Sequence, residues 1–459
     1  MSLLGEFRRE RDPLGEVLVP AEALYGAQTQ RAVENFPLLG QRTLGDHAPV
    51  VDGLILCKLA SAAANLDLDL LPERIASAIL EAGRQCLDRD DGRAFPIHAR
   101  HGGGGTSANM NANEVLANLA EEVLGGRRGE YRHVDPLEHV NLNQSTNDVY
   151  PTALHLALLR RWPALREAVG SLLQTLDQRR AELAELPRLA RSCLQDAVPT
   201  TYGELFGSYR AVLARGLRRI DARVGDLREV PLGATIVGNP RDVPAGYLDQ
   251  VMVHLREVTN DAELRHPEPL ADGLQNPDTV VALSGELATL AGVLIKIAKD
   301  LRLLASGPEA GFGEVRLPAV QPGSSAMPLK VNPVIPEFVI QCAFRVLANH
   351  REATLGLEHG ELDVNVWEAS TALPPLEAMD LLEAACTVFV ERCLAGLELD
   401  IERNRQHVDT IIPRLTRLRA EHGYLEVARC LREAGGDRER LVQLLAELEE
   451  RAAGRLEGG

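Results

Sequence analysis

The chain has 459 residues, of which 45% are hydrophobic, 25% charged and only 4% aromatic. That is enough chain for a large core built on aliphatic contacts, and its Leu, Ala, Glu and Arg content favours helix. A formal charge of −17 makes general binding to nucleic acid or to an anionic membrane surface a poor reading, and any site for an anion must be built locally.

The first 45 residues carry Pro and Gly at irregular intervals and read as an extended arm with turns. Nothing in Met1–Gly15 has the apolar core of a secretory signal. Amphipathic helices are predicted over Ala48–Leu66 and Leu71–Leu87, then, after a run of four glycines at 102–105, over Asn109–Leu124. Long helices follow over Ala153–Leu186, which Pro163 kinks or breaks, and over Glu204–Leu227. Thr279–Leu304 is apolar on nearly every face, as befits the centre of a bundle. Pro333–His350 and Pro375–Leu397 continue the pattern, and residues 400–459 read as shorter, more charged helices. The expectation is a mainly α protein with domains at 1–140, 141–397 and 398–459. Seven scattered cysteines without a C-x-x-C pair point to reduced thiols and a cytoplasmic setting.

Three polar segments interrupt the apolar helices: His101–Glu114, Asn141–Asp148 and Gly323–Pro333. Each is rich in hydroxyl and amide side chains, and each lies beside an expected helix start, where free N–H groups favour an anion. Any one of them is explained equally well as a loop and an N-cap. Taken together, with adjacent Ser-Thr and Ser-Ser pairs and a lysine, they describe a site dense in hydrogen-bond donors. No H-E-x-x-H, thiolate pair or carboxylate cluster indicates a metal, and no Gly-Lys-Ser/Thr follows the glycine run to make a phosphate loop.

Gly323-Ser-Ser-Ala-Met-Pro-Leu-Lys-Val-Asn-Pro333 resembles the signature of the aspartase/fumarase superfamily. Leu24–Asn35 is similar to the family's N-terminal arm, Gly105–Glu114 to its first signature segment and Gln144–Thr152 to its second, in the family's order, and Glu309–Gln321 leads into the third. The resemblance implies a central bundle of long helices, a homotetramer whose core is packed bundles, and sites that each draw three segments from three subunits. It implies a small dicarboxylate substrate and no cofactor.

It also implies the chemistry, an anti elimination through a dianionic aci-carboxylate. Ser324 matches the family's base; Thr106, Ser145, Thr146 and Ser325 match donors to the carboxylate that gathers charge. Such preorganised donors contribute about 2.7–4 kcal/mol each in favourable cases. Lys330 and Asn332 correspond to the residues holding the other carboxylate, and Asn147 to the ligand of a leaving amino group. On a bare serine, capping of the following helix is the simpler reading; within this motif the base is favoured. Met327-Pro328 and Val331 argue against full exposure of Lys330.

The chain departs from the family pattern at three places. Ser192 keeps a hydroxyl where the family has Thr, but Cys193 stands where it has His or Gln, which is read equally as neutral drift or as altered substrate choice. Leu232–Pro240 lacks the usual Gly-Thr-Gly, and Leu329 replaces a small residue. The expected activity is a carbon–nitrogen lyase, most like an ammonia-lyase acting on aspartate. The alternatives are fumarate hydration, elimination from an N-substituted aspartate or related succinate, and a non-catalytic tetrameric binding protein.

Overall fold

The computed structural model describes residues 6–89, 92–323 and 325–456. The N-terminal arm is more ordered than its composition suggests. It forms a hairpin, β1 (Phe7–Asp12) with β2 (Gly15–Pro20), and a first helix, α1 (Ala27–Asn35). The helices α2 (Ala48–Asp67), α3 (Glu73–Asp88) and α4 (Thr106–Val123) follow. The longest is α5 (Thr146–Glu182), which runs unbroken through Pro151 and Pro163. A second hairpin, β3 (Pro187–Ser192) with β4 (Gln195–Thr201), leads to α6 (Tyr202–Asp226) and α7 (Tyr247–Thr259). Next come the single turn α8 (Asp272–Gln275) and the long α9 (Asp278–Leu304). A two-residue strand β5 (Val315–Arg316), α10 (Val334–Glu358) and α11 (Glu368–Phe389) precede β6 (Glu398–Leu399), which pairs with β5. Four shorter helices close the chain: α12 (Ile401–Val408), α13 (Ile411–His422), α14 (Tyr424–Ala434) and α15 (Arg438–Leu456).

The chain divides into two compact units. The first comprises Met1–Glu167, Gly216–Gly292 and Cys342–Ala384. Here α2 packs against α3, α4 and α7, and its apolar residues from Leu54 to Ala60 are buried on all sides. Both α2 and α9 are long and apolar enough to cross a membrane, but 72% of the apolar window of α2 is buried inside the protein, as in a core helix. Glu114, projecting from α4, binds the start of α1, which lacks a capping side chain of its own. Its carboxylate accepts the N–H groups of Gly26, Gln28 and Thr29 and the Thr29 hydroxyl at 2.6–3.1 Å.

The second unit comprises Ala168–Arg215, Val293–Gln341 and Ala385–Gly459. Helices α13, α14 and α15 share a small core of Leu418, Val427, Cys430, Leu444, Leu445 and Leu448. The fully buried Glu314 joins the Arg191 guanidinium, near the end of β3, to the His407 ring on α12, which stands 2.6 Å away.

Candidate active site

The first unit brings two of the three polar segments together. At the start of α4, Gly103, Gly104 and Gly105 all have left-handed backbones. The ring of Tyr150 on α5 lies directly over Gly105, where a Cβ would come within 2.3 Å of it. Only glycine allows that approach, and it draws the start of α4 against the start of α5. Thr106 opens α4, is exposed, and donates its hydroxyl to the Gly103 carbonyl at 2.8 Å.

The second link is polar. Asn109 donates through Nδ2 to the Thr146 hydroxyl oxygen at 3.2 Å and to Asn141 Oδ1 at 3.1 Å. Asn141 Oδ1 also accepts from Asn113 and from the ammonium of Lys58. Ser145, Thr146 and Asn147 are all half-buried. Their backbone is held by Asp148, whose fully buried carboxylate accepts N–H groups from Ser145, Gly233 and Thr235 at 2.9–3.0 Å. Burial pushes the Asp148 carboxyl up to about 6, against those three donors.

Asn147 donates through Nδ2 to the Ile236 carbonyl at 2.8 Å. Its Oδ1 accepts no hydrogen bond among the described residues, so the acceptor end of the amide is the one left for a ligand. The donor to this carbonyl therefore ties a family-matched residue to the Leu232–Pro240 stretch that departs from the family pattern.

The remaining candidates lie in the second unit. Ser192 and Cys193 are exposed at the tip of the β3–β4 hairpin. Ser192 pairs with Gln195, leaving Cys193 and Leu194 as a two-residue turn with φ of 54° and 60°. A turn with both residues left-handed matches the twist of a hairpin but favours Asn-Gly, so Cys-Leu is strained there.

In the Gly323–Pro333 loop, Ser324, matched to the base, lies outside the described residues. Gly323 sits so close to the Lys330 carbonyl that a Cβ would come within 1.8 Å, which accounts for the glycine opening the motif. Ser325, Lys330 and Asn332 are exposed, and Lys330 donates to Asn332 Oδ1 at 2.7 Å. The expectation that apolar neighbours shield Lys330 is not met within the chain: Met327 and Val331 are themselves half exposed and Leu329 is 97% exposed. Leu329 also has a φ of 69°, in the left-handed region that favours glycine.

Lys58, completely buried, escapes a reading for catalytic motifs, whereas Asn109, Glu114, Asn141 and Asp148 fall within the polar segments without a role of their own. One signal was available: Lys58 is a lone charge within the apolar run Leu54–Ala60. Among the described residues no group of acids, histidines or cysteines could hold a metal ion.

Long helices thus begin beside polar segments at α4 and α5, and a third polar segment precedes α10. A family model described as Lyase matches residues 15–348. Aspartate ammonia-lyase of Bacillus subtilis is 39% identical over 94% of this chain and 90% of its own length. A Brucella melitensis structure described as fumarate lyase:delta crystallin is 40% identical, with a TM-score of 0.89 over 96% of this chain and 99% of its own. The class II fumarase of Schistosoma mansoni is 29% identical, with a TM-score of 0.91 over 97% and 96% of the two chains. The chain belongs to the lyase family of the aspartase/fumarase superfamily, and within it is a carbon–nitrogen lyase.

Proposed function

We propose that the protein removes ammonia from aspartate to give fumarate, reversibly, through an aci-carboxylate. The observation that carries this reading is the start of α5. There Thr146 presents a hydroxyl whose oxygen already accepts from Asn109, and Asn147 presents a free amide oxygen. A hydroxyl so held donates outward to a carboxylate, and an amide oxygen accepts from an ammonium. The 39% identity to aspartate ammonia-lyase supports the same substrate.

In this reading Ser324 takes the proton next to one carboxylate. Thr106, Ser145, Thr146 and Ser325 then stabilise the double charge that results, where donors fixed in advance act most strongly. Lys330 and Asn332 hold the other carboxylate, and Asn147 holds the leaving amine. The active form is a homotetramer. On α10, Phe344, Leu347 and Leu355 lie on one face and are 39–54% exposed, an apolar stripe that suits burial against further copies of the chain. All seven cysteines are free, which supports a reducing, cytoplasmic setting.

Release of fumarate, followed by its ultraviolet absorbance, tests this reading with aspartate, malate and argininosuccinate as substrates. Aspartate alone is expected to react well. Malate as the preferred substrate would make the protein a hydratase, and silence with all three would make it a binding protein. A second reading, an N-substituted aspartate as substrate, is favoured by the small Cys193 thiol where the family carries His or Gln. Amination of fumarate with a series of amines, by the wild type and by Cys193→His, decides it. A profile unchanged by the substitution would remove Cys193 from substrate choice.

A further inference from the structure

Behind the start of α5 lies a cation that the reaction as written does not use. Lys58 on α2 is completely buried, and among the described residues it forms no ion pair with a carboxylate. Its ammonium instead donates to Asn109 Oδ1 at 2.6 Å and to Asn141 Oδ1 at 2.9 Å. Burial alone pulls it down to about 7. An ammonium solvated only by amide oxygens is costly, and an apolar side chain would fill the same volume at lower cost. Asp148, which acts on it electrostatically, spends its carboxylate on three backbone N–H groups.

The geometry runs outward from the lysine in one direction. Lys58 donates to the oxygen of the Asn109 amide, and the nitrogen of that amide donates to Thr146 Oγ1. A hydroxyl has one hydrogen and two acceptor positions. With Asn109 on the oxygen and no other side-chain bond at Thr146 among the described residues, the hydroxyl hydrogen is left to point away from Asn109. While Lys58 is protonated, reversing the link to Asn109 would require an ammonium to accept a hydrogen bond, which it cannot do.

We propose that Lys58 is a positioning residue that acts through Asn109 to orient and strengthen the Thr146 hydroxyl as a donor to the charge developing on the substrate. The inference rests on the reading of Thr146 as a ligand of the reacting carboxylate. Linked hydrogen bonds polarise one another, so a positive charge at the inner end makes the outer hydroxyl a better donor. The benefit grows with the charge at the far end, and therefore is larger for the dianionic intermediate than for the ground-state substrate.

Two ligands separate those states: succinate, a plain dicarboxylate, and 3-nitropropionate, whose nitronate carries the additional charge of an aci-carboxylate. Their inhibition constants are measured for the wild type, Lys58→Met, Thr146→Val and the double variant. Lys58→Met is expected to weaken the nitronate roughly tenfold or more while leaving succinate within about threefold, as for the loss of a donor aimed at developing charge. In the Thr146→Val background, Lys58→Met is expected to have little further effect, because the link it acts through is gone. Asn109→Leu cuts the same chain one bond further out and is expected to show the same selective loss, including where Lys58→Met does not fold. Equal weakening of both ligands, or independent effects of Lys58→Met and Thr146→Val, would overturn the relay. If the wild type binds neither ligand and releases no fumarate, the reading of the site fails and the relay with it. If Thr146→Val is selective and both Lys58→Met and Asn109→Leu are silent, the site stands and the relay alone falls.

Discussion

The carboxylate of Asp148 accepts the backbone N–H of Thr235 at 3.0 Å, and so ties the first turn of α5 to the loop whose Ile236 carbonyl orients Asn147. Two further N–H groups, from Ser145 and Gly233, complete the hold. Asparagine has the same shape but would set an NH2 group against one side of these donors. Asp148→Asn is expected to destabilise the protein by about 1–3 kcal/mol and to lower turnover by disturbing Ser145 and Asn147. The pH dependence has a definite sign. The Asp148 carboxyl lies at about 6 in the folded protein, against 3.8 for an ordinary aspartate. Between these values the folded state holds the proton and the unfolded state does not. Stability attributable to this group therefore falls as pH rises from about 4 to about 6 and is level above. Urea midpoints of the wild type minus those of Asp148→Asn, compared at pH 4 and pH 7, are expected to be smaller at pH 7. A difference that grows with pH would contradict this account.

Glu114 does for α1 what a capping residue would do. Four donors at its first turn, three of them backbone N–H groups, converge on one buried carboxylate from α4. Glu114→Gln turns one acceptor oxygen into a donor facing other donors, at an expected cost of about 1–3 kcal/mol. Local loss of α1 is expected before global unfolding, read as faster hydrogen exchange at Gln28 and Thr29 than in the wild type. Unchanged exchange there would show that the Glu10 carboxylate, which accepts the Ala27 N–H at 2.9 Å, is enough to hold the helix start.

What the sequence made legible follows from where side chains point. Ser145, Thr146 and Asn147 stood out because hydroxyls and amides at an expected helix start are few and face a ligand or a cap. The long helices were visible for a different reason, their apolar periodicity, and the boundaries of α2 and α9 differ from expectation by a residue or so. The supports of the site were less visible: Asn109 and Asn141 lie within the polar segments, but only three-dimensional contacts put Lys58 against both. Prolines misled at two helix starts. The sequence pattern predicts α5 from Ala153 and α11 from Pro375, whereas the structure carries α5 back through Pro151 to Thr146 and α11 back through Pro374 to Glu368. Burial along these helices outweighs the hydrogen bond and the steric room that each proline removes. The arm failed in the opposite sense, since its irregular Pro and Gly hide a hairpin and a helix whose ends are held by Glu10, Asp12 and Glu114 rather than by local signals.

The β3–β4 turn predicts a separation of stability from substrate choice. Cys193 and Leu194 both occupy left-handed conformations that cost side chains of their kind on the order of 1 kcal/mol each. Replacing the pair with Asn-Gly, as Cys193→Asn with Leu194→Gly, supplies the residues this turn favours and is expected to raise stability by about 1 kcal/mol. Both side chains are exposed, so little packing is lost. The variant's melting temperature should rise while its preference among amines changes. A rise in stability with an unaltered amine profile would make the turn a matter of backbone strain alone.

Ser324 gives the most direct test of the chemistry. Residues 325–333 are not helical, and α10 starts at Val334. Loss of a proton-transferring group typically lowers turnover by about 10²–10⁴-fold, and Ser324→Ala is expected to fall in that range with its urea midpoint unchanged. Lys330 should behave differently. Its ammonium is exposed in the chain and bonded to Asn332, so Lys330→Gln removes charge from binding without touching the proton transfer. It is expected to raise KM more than it lowers kcat. The two variants together separate the roles: a lysine variant with lost turnover and normal KM, or a serine variant with wild-type turnover, would place the base elsewhere in the protein.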